Sequence, residues 1–412
     1  MGHRKLMPVF VTGLMIALMI LSTNPLRAQA TEKVLYRFQG GHLDGQAPQT
    51  AVLVGSDGNL YGTTPYGGGN GKCAPNGTLS YCGVVFQLSP VSGGAWKEKV
   101  IYRFSGRSDG GEPSSLLVPD SAGNLIGTTT IGGALETCEV GEGCGTVFEL
   151  SPSGSDWTQS VLYAFSWGPG LWPRGVILDP SGNLYGSTLD TVFELKPKKA
   201  GGWSQLLLYE FGIGNDTAGG VVRDTSGNLY GTTGNQVFEL TSGANGWTES
   251  VIGTGLAIFG GPVMDGNGNL FFIDNSAGNG IVELSPSQNG WQQSLVYTFK
   301  GAPDGEAPTG NLAIDGAGNI YGTTGVGGTG HCGIGSSIGC GTVYKLTPSA
   351  SGWTETVLYS FPGGPEGYFP LSGVVLDSAG NLYGTTNFGG GGNCIGSRGN
   401  VVGCGVVFEV TP

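Results

Sequence analysis

Short apolar runs alternate with polar breaks along the whole chain after residue 30. Four kinds of run follow one another in a fixed order, represented by GVVLD (373–377), NLYGTT (381–386), VFEV (407–410) and VLYSF (357–361). β-branched and aromatic residues favour strands, whereas Gly, Asn, Ser and Pro favour the turns between them. No helical periodicity of useful length is present after residue 30. The pattern predicts antiparallel units of four short strands.

The four-strand unit recurs seven times. Its second run begins at a Gly-Asn pair, and the distances between successive copies of that Asn run from 41 to 65 residues. The shortest distances match a four-stranded propeller blade, and the longer ones indicate the same blade with inserted loops. A linear β-solenoid is the alternative, although its coils are usually shorter. The copies are Asn59, Asn124, Asn183, Asn228, Asn269, Asn319 and Asn381.

The fourth run decides between a ring and a solenoid. It opens with Trp and has six copies, whereas the second and third runs have seven. The stretch EKVLYRF (32–38) differs at one position from the fourth run EKVIYRF (98–104), so the N-terminus supplies the missing strand. Pairing of a strand at 34–38 with one at 406–410 would close a ring and remove its open edge. A solenoid does not explain this arrangement.

The predicted fold class is therefore all-β, with a single seven-bladed β-propeller of four-stranded antiparallel blades. The predicted blades lie approximately at residues 48–105, 113–165, 173–211, 218–255, 261–299, 308–361, and 370–412 plus 32–38.

Residues 1–30 have the order of a secretory signal peptide. Arg4 and Lys5 precede a long apolar run, and Ala28-Gln29-Ala30 fits a small-x-small cleavage site, which puts the mature start at Thr31. An uncleaved anchor helix is the alternative, because the apolar run is near spanning length. We expect an exported protein, extracellular or periplasmic, without membrane insertion after cleavage.

Charge excludes one class of partner. With Arg4, Lys5 and Arg27 removed from the 18 basic residues, 15 remain against 30 acidic residues, a net charge of −15. Nucleic acid requires Lys and Arg at its phosphates, so it is not an expected partner.

The repeated phrase Asp-x-x-Gly-Asn predicts a turn between the first and second strands. A calcium loop would need several carboxylates alternating over a dozen residues, and here there is one. The Gly of LYGTT is expected to allow close packing where blades converge, and the preceding aromatic ring to pack between adjacent blades. The Trp of the fourth run is expected to be a packing residue.

Eight cysteines follow residue 30, as four close pairs. Each pair falls between the second and third strands of one unit, which in an exported protein predicts four local disulfides. Zinc is the alternative, but the spacings do not fit a zinc ribbon or finger, and only His331 lies beside a Cys. The predicted pairs are Cys73/Cys82, Cys138/Cys144, Cys332/Cys340 and Cys394/Cys404.

The cysteine-bearing units 6, 7, 1 and 2 are consecutive in a closed ring, so one sector of one face is built up. Connections from a fourth strand into the next blade lie on that same face, and in these units they carry Asp-Gly or Glu-Gly before a Pro. The candidate ligand face holds four carboxylates, two histidines and four aromatic residues: Asp44, Asp109, Asp304, Glu366, His42, His331, Tyr66, Tyr368, Phe369 and Phe388.

Acids beside aromatic residues suit a sugar, or a cation held by oxygen ligands. The alternative is that Asp-Gly makes turns and that the loops only decorate the surface. No serine-hydrolase, zinc-protease or P-loop motif is present. We expect a monomeric binding module, with a glycan or surface protein as partner and no predicted cofactor. A polysaccharide lyase or hydrolase using loop carboxylates, and a purely structural envelope protein, are the alternatives.

The unit D-x-x-GN-LYGTT … G-TVFEL-x-P … W-x-x-x-VLY-x-F resembles the GloVer-type (choice-of-anchor) tandem repeat of exported bacterial proteins, over nearly the whole chain after residue 30. The resemblance implies an exported repeat protein and supplies no catalytic residues. Members carry varied C-terminal anchors, and none is expected here because the sequence stops at Pro412. More loosely, the D-x-x-GN-x-Y rhythm is similar to NHL-repeat and streptogramin-lyase-like propellers, which implies the fold alone.

Overall fold

A computed structural model describes most of the chain after residue 29. The segment predicted to be a signal peptide lies outside the described residues, apart from residues 2 and 30. Within the part that is described, no helix is long and apolar enough to cross a membrane. The described residues are 2, 30–69, 82–134, 138, 143–168, 170–212, 215–254, 258–275, 279–332, 339–396 and 399–412.

Seven antiparallel four-stranded sheets form a seven-bladed β-propeller, as predicted. Within each blade, the first strand lies nearest the ring axis and the fourth lies at the perimeter. Blade 1 contains β3 (Leu53–Val54), β4 (Leu60–Thr64), β6 (Val84–Pro90) and β7 (Trp96–Arg103). Blade 2 contains β8 (Gly111–Pro113) and β9 (Val118–Pro119) as its divided first strand, then β10 (Leu125–Ile131), β11 (Thr146–Ser153) and β12 (Asp156–Ala164). Blade 3 contains β13 (Val176–Leu178), β14 (Leu184–Ser187), β15 (Thr191–Pro197) and β16 (Trp203–Glu210).

The remaining blades have the same order. Blade 4 contains β17 (Val222–Arg223), β18 (Leu229–Thr232), β19 (Gln236–Gly243) and β20 (Gly246–Thr254). Blade 5 contains β21 (Ile258–Met264), β22 (Leu270–Asp274), β23 (Gly280–Ser287) and β24 (Gly290–Thr298). Blade 6 contains β25 (Gly305–Ile314), β26 (Ile320–Gly327), β27 (Thr342–Ser349) and β28 (Gly352–Ser360). Blade 7 contains β29 (Val374–Leu376), β30 (Leu382–Thr386), β31 (Val406–Thr411) and β1 (Thr31–Arg37). Outside the blades are a ribbon of β2 (Gly45–Gln46) with β5 (Tyr66–Gly67), and a short 3₁₀ helix at Gly364–Glu366.

The two ends of the chain close the ring, as predicted. β1 pairs antiparallel with β31, with Val34 opposite Phe408. The pairing extends beyond the predicted 34–38, because Thr31 already pairs with Thr411. The N–H of Phe38 then donates to the Gly405 carbonyl at 3.0 Å. Closure therefore leaves blade 7 with the same four strands as the other blades.

The hydrophobic core is divided among the blade boundaries. Seven clusters of buried apolar side chains each join two neighbouring blades. At the boundary of blades 7 and 1, the fully buried rings of Phe38 and Phe86 meet edge to face with centroids 5.1 Å apart. Burial of one such ring contributes about 1.5–3 kcal/mol. The repeat reproduces this contact at five further boundaries, and between blades 4 and 5 Tyr230 meets Trp291 instead.

The repeated Asp-x-x-Gly-Asn phrase forms the predicted turn. Asp120 Oδ1 accepts hydrogen bonds from the backbone N–H groups of Ala122 and Asn124, and Asp120 Oδ2 accepts one from Asn124 Nδ2. The first copy has Gly55 in place of this Asp, and there Asp57 accepts from Asn59 instead. The phrase is scaffolding in both forms.

The Gly of LYGTT allows close packing, but the prediction that this packing lies where blades converge was wrong. A β-carbon on Gly62 would lie 2.4 Å from Cζ of Phe86, the residue opposite it on the next strand of the same blade. The glycine therefore makes room for an aromatic ring within its own blade, not where blades converge. The contact between blades comes from the neighbouring ring, because Tyr61 of blade 1 meets Trp157 of blade 2 with centroids 5.8 Å apart. That contact confirms the packing role of the Trp.

Three of the predicted disulfides are present, and the fourth falls outside the described residues because Cys73 does. Their Cα–Cα distances of 5.9, 5.4 and 5.2 Å are normal for a disulfide. They join Cys138 to Cys144, Cys332 to Cys340 and Cys394 to Cys404.

Candidate functional site

Two kinds of connection meet on one face of the ring. The connection from blade 7 into blade 1 pairs with the connection that follows β4, through Gly45 opposite Gly67. The connection from blade 6 into blade 7 does the same, through a bridge between Tyr368 and Phe388. Side chains from both kinds of connection therefore share a surface.

Each of the four carboxylates of the candidate ligand face accepts a hydrogen bond from a tyrosine on the fourth strand that precedes its connection. Asp44 is buried; its Oδ2 accepts from Tyr36 Oη at 2.9 Å and from the Gln39 N–H at 2.6 Å, and its Oδ1 accepts from the Gly45 N–H. Burial raises the pKa of Asp44, and these hydrogen bonds oppose the rise.

The other three acids repeat part of this arrangement. In each, one carboxylate oxygen accepts a hydrogen bond at 3.0–3.1 Å from the Tyr that is the last residue but one of the preceding fourth strand. The pairs are Tyr102 with Asp109, Tyr297 with Asp304, and Tyr359 with Glu366. The described contacts of these acids are those of turn-capping residues.

A second carboxyl group interacts with three of these acids across a blade boundary. It belongs to a glutamate on the fourth strand of the next blade. One oxygen of that glutamate, Oε1, is buried and has no hydrogen-bond partner among the described residues. The pairs are Glu98 with Asp44, Glu355 with Asp304, and Glu32 with Glu366. In blade 2 the position is Gln159, which donates from Nε2 to the Asp109 carbonyl at 3.2 Å.

Burial raises the pKa of Glu98 to about 7; the neighbouring Asp44 carboxylate adds to the rise, and Arg103 opposes it. Burial likewise raises the pKa of Glu355 and of Glu32 to about 7. These three blade boundaries therefore carry carboxyl groups that titrate near neutral pH.

The predicted aromatic residues are partly brought together. Tyr368, Phe369 and Phe388 form a cluster with ring centroids 5.5–5.9 Å apart. His331 and Tyr368 line one cavity of about 420 Å³ with glycine backbone from blade 7. His42 lies in a different connection, with Nδ1 3.0 Å from the Gly69 carbonyl. Tyr66 also lies apart from the cluster, where burial and the charge of Glu112 raise its pKa.

The residue before the connection proline has an unusual backbone at five boundaries. Its φ is positive, between 52° and 56°, a conformation that non-glycine residues rarely adopt. Strained residues of this kind persist only where surrounding structure fixes them, and they cluster at functional sites. The residues are Ala47, Glu112, Trp172, Ala307 and Phe369.

The disulfide-bearing loops hold four of these residues in place. The N–H of Trp172 donates to the Cys144 carbonyl at 3.1 Å, and a β-carbon on Gly145 would lie 2.7 Å from Cδ of Pro173. Each Cys-Gly pair therefore forms a cradle for the x-Pro pair of the next connection. The equivalent hydrogen bonds run from Glu112 to Cys82, Phe369 to Cys340, and Ala47 to Cys404.

Two of these cradled residues line a cavity of about 540 Å³, here called the axial cavity. The connections into blades 1, 2, 3 and 4 all contribute to it, which requires a position near the ring axis. Trp172 is 41% exposed, and Arg174 is also exposed. The side chains with polar or aromatic chemistry are Gln49, Glu112, Ser114, Thr130, Trp172 and Arg174.

The sequence prediction missed the axial cavity. It selected the Asp-Gly and Glu-Gly acids, whereas the cavity is lined by residues beside the connection proline. A signal was available, because the proline recurs while its neighbours vary: Gln49, Ser114 and Arg174 follow it in three connections. Because the fold requires the proline but not one particular residue after it, the residues that vary there are candidates for ligand contacts.

The described residues contain no group of three or more His, Cys, Asp or Glu side chains arranged to hold a metal ion.

Comparison with solved structures supports the fold. Virginiamycin B lyase from Staphylococcus aureus is similar, with a TM-score of 0.55 and 12% identity over 93% of this chain and 99% of that one. A catalytically inactive variant of the same lyase, solved with quinupristin, has a TM-score of 0.54 and 13% identity over the same shares. A protein from Lactobacillus plantarum has a TM-score of 0.51 and 13% identity over 80% of this chain and 95% of that one. At these identities the likeness extends to the fold alone.

No curated protein matches the chain. The model of the Gloeobacter/Verrucomicrobia repeat matches residues 23–237, more than half of the sequence, and it agrees with the repeat units counted above. The chain belongs to the Gloeobacter/Verrucomicrobia repeat family.

Proposed function

We propose that this protein is an exported binding module that holds an oligosaccharide, or a short stretch of a surface polymer, in the axial cavity. The observation that carries the proposal is the exposed ring of Trp172, which lines a cavity with polar side chains and whose backbone is held by a disulfide-bearing loop. The volume of about 540 Å³ lies within the range of pockets that bind small molecules.

The lining chemistry suits a polyhydroxylated ligand. An exposed aromatic ring offers an apolar face to a sugar ring, and amide, hydroxyl and carboxylate groups exchange hydrogen bonds with sugar hydroxyls. Gln49, Ser114, Thr130 and Glu112 supply these groups around the Trp. The fixed backbone of Trp172 lowers the entropy lost when the ligand binds.

Export is supported by the three disulfides, since such bonds persist in oxidising compartments. A carboxylate-dependent lyase or hydrolase has less support, because the described hydrogen bonds of the four connection acids lie within separate turns. The similar lyase structures do not transfer their activity at 12–13% identity.

A glycan array on the mature protein, followed by calorimetry on the best oligosaccharide, tests the proposal. Trp172→Ala should weaken binding by at least tenfold, because stacking on this ring is lost. Trp167→Ala is the matched control, since Trp167 is 51% exposed in the same connection but is not among the residues that line the cavity. Equal losses in both variants, or no binding to any oligosaccharide, would overturn the proposal.

A further inference from the structure

The axial cavity contains one cationic side chain. Arg174 is the sole Lys, Arg or His among the described residues that line it. Its guanidinium forms no hydrogen bond or ion pair with the described part of the chain, even though Asp216 is close enough to influence its pKa.

The position of Arg174 suits a ligand that also contacts Trp172. The two residues flank Pro173, whose ring is held on Gly145, and the Arg174 N–H donates to the Ser187 carbonyl at 2.9 Å. Both side chains therefore start from a fixed segment of backbone. A guanidinium presents a planar fork of N–H donors that matches the two oxygens of a carboxylate.

The charge of the rest of the cavity limits the ligand further. Glu112 lies among the lining residues, and its Oε2 accepts a hydrogen bond from Thr130 Oγ1 at 3.4 Å. One guanidinium neutralises one negative charge, whereas a phosphate monoester carries nearly two at neutral pH. Beside Glu112, a singly charged group is favoured over a phosphate.

We propose that the axial cavity selects sugars that carry a carboxylate, the uronic acids, with Arg174 as the residue that recognises the acid and Trp172 as the surface for the ring. This inference rests on the proposed function of the cavity as an oligosaccharide site, and it adds the chemical class of the sugar.

The test uses tetramers of galacturonate, glucuronate and mannuronate, each compared by calorimetry with the same oligomer after methyl esterification of its carboxylates. At low salt, at least one acid tetramer should bind ten times or more tightly than its ester. Arg174→Gln should abolish that preference while weak binding of the ester remains. Arg174→Lys should retain part of it, because the charge is kept and the fork is lost.

Arg107→Gln is the control, since it removes one positive charge from an exposed residue outside the cavity lining. It should leave the preference for the acid intact. Equal binding of acid and ester, equal effects of the two glutamine variants, or a preference for a sulfated neutral tetrasaccharide would each overturn this inference. In those cases the cavity would still bind sugar, whereas failure of all the oligomers to bind would overturn the proposed function as well.

Discussion

The ring contains two sectors built from the same blade. Blades 6, 7, 1 and 2, the stapled sector, have long connections that carry the cysteines, whereas blades 3, 4 and 5, the plain sector, have short connections without them. The strand order is the same in both sectors, and so is the Asp-x-x-Gly-Asn turn, except that Gly55 replaces its Asp in blade 1.

The two sectors differ at the residues that immediately precede the third strand of each blade. In the stapled sector, a Cys-Gly pair holds the x-Pro pair of the next connection with a positive φ. In the plain sector, the connection into blade 4 reads Thr-Ala-Gly-Gly at 217–220, and it has neither the proline nor the cradle. Cysteine, cradle and strained residue therefore occur together at four boundaries, and at two of them the strained residue, Glu112 or Trp172, lines the axial cavity. Ala307, which follows blade 5, has the same positive φ without a cysteine.

The largest expected effect comes from opening the ring in the stapled sector. Deletion of residues 31–38 removes β1 together with the buried side chains of Leu35 and Phe38. Loss of this apolar burial and of the β1–β31 ladder should lower the free energy of unfolding by about 5 kcal/mol. Urea denaturation against a chain that starts at Thr31 measures the change. An unchanged midpoint would show that β1 is dispensable and that closure contributes little.

The second prediction tests what one disulfide of the stapled sector contributes to stability and to the position of the next connection. Replacing Cys138 and Cys144 with Ser should cost about 2–3 kcal/mol, since a short loop is no longer closed in the unfolded chain. The Trp172 amide should also exchange faster with solvent deuterium, because its acceptor is the Cys144 carbonyl. Replacing Cys332 and Cys340 is the matched control. It should cost a similar amount, but accelerate exchange at Phe369 and leave Trp172 protected.

The third prediction concerns pH. The folded pKa of Glu98, about 7, lies above its ordinary value of 4.5, so its protonated form is favoured by folding. The stability that it contributes is present in full below pH 4.5 and is lost as the pH rises through 7. Because Glu98 is partly exposed, we expect a loss of about 1 kcal/mol from this residue.

Glu98→Gln should reduce the fall in unfolding free energy between pH 5 and pH 8, as measured by urea denaturation. Glu249→Gln changes the same strand position in blade 4, where the preceding connection has no Asp-Gly or Glu-Gly pair. It should leave the pH dependence unaltered. A steeper fall in the Glu98 variant would contradict the assignment.

The smallest effect is expected inside blade 6. Tyr344 is fully buried, and its hydroxyl has no hydrogen-bond partner in the part of the chain that the structure describes. The equivalent residues are Phe86 in blade 1 and Phe408 in blade 7. Like Tyr344, each lies opposite the glycine of the second strand. Tyr344→Phe should stabilise the protein by about 1 kcal/mol, because no hydroxyl is left buried without a partner. Phe408→Tyr should destabilise it, and thermal unfolding of both variants tests the pair.

The fold was predictable because the repeated strands can be counted in the sequence. Seven second strands, six Trp-led fourth strands and a matching N-terminal stretch require a closed ring, and β1 with β31 closes it. The repeated turn was equally accessible, since a single Asp and Asn suffice for its hydrogen bonds. The location of the close contact at Gly62 was not, because it depends on which residue lies opposite in the sheet.

The candidate site was less predictable for a related reason. The candidate ligand face was predicted from residue types alone. Residue types do not reveal that a carboxylate such as Asp109 already accepts hydrogen bonds from Tyr102 and from the Ser105 N–H. Trp172 and Arg174 are far apart in sequence from Gln49, and the curvature of the ring brings them to one cavity. Convergence near the axis is a property of the closed structure, and no single repeat contains it.

The pairing of β1 with β31 also sets an order of events during synthesis. Among the described strands, β1 leaves the ribosome first, and its partner β31 leaves it last. Until then β1 cannot complete its blade, and contacts this distant in sequence form slowly. The charges of Glu32, Lys33 and Arg37 on this waiting strand discourage pairing with a wrong edge. The strand that makes the ring permanent is thus also the one that must remain soluble for longest.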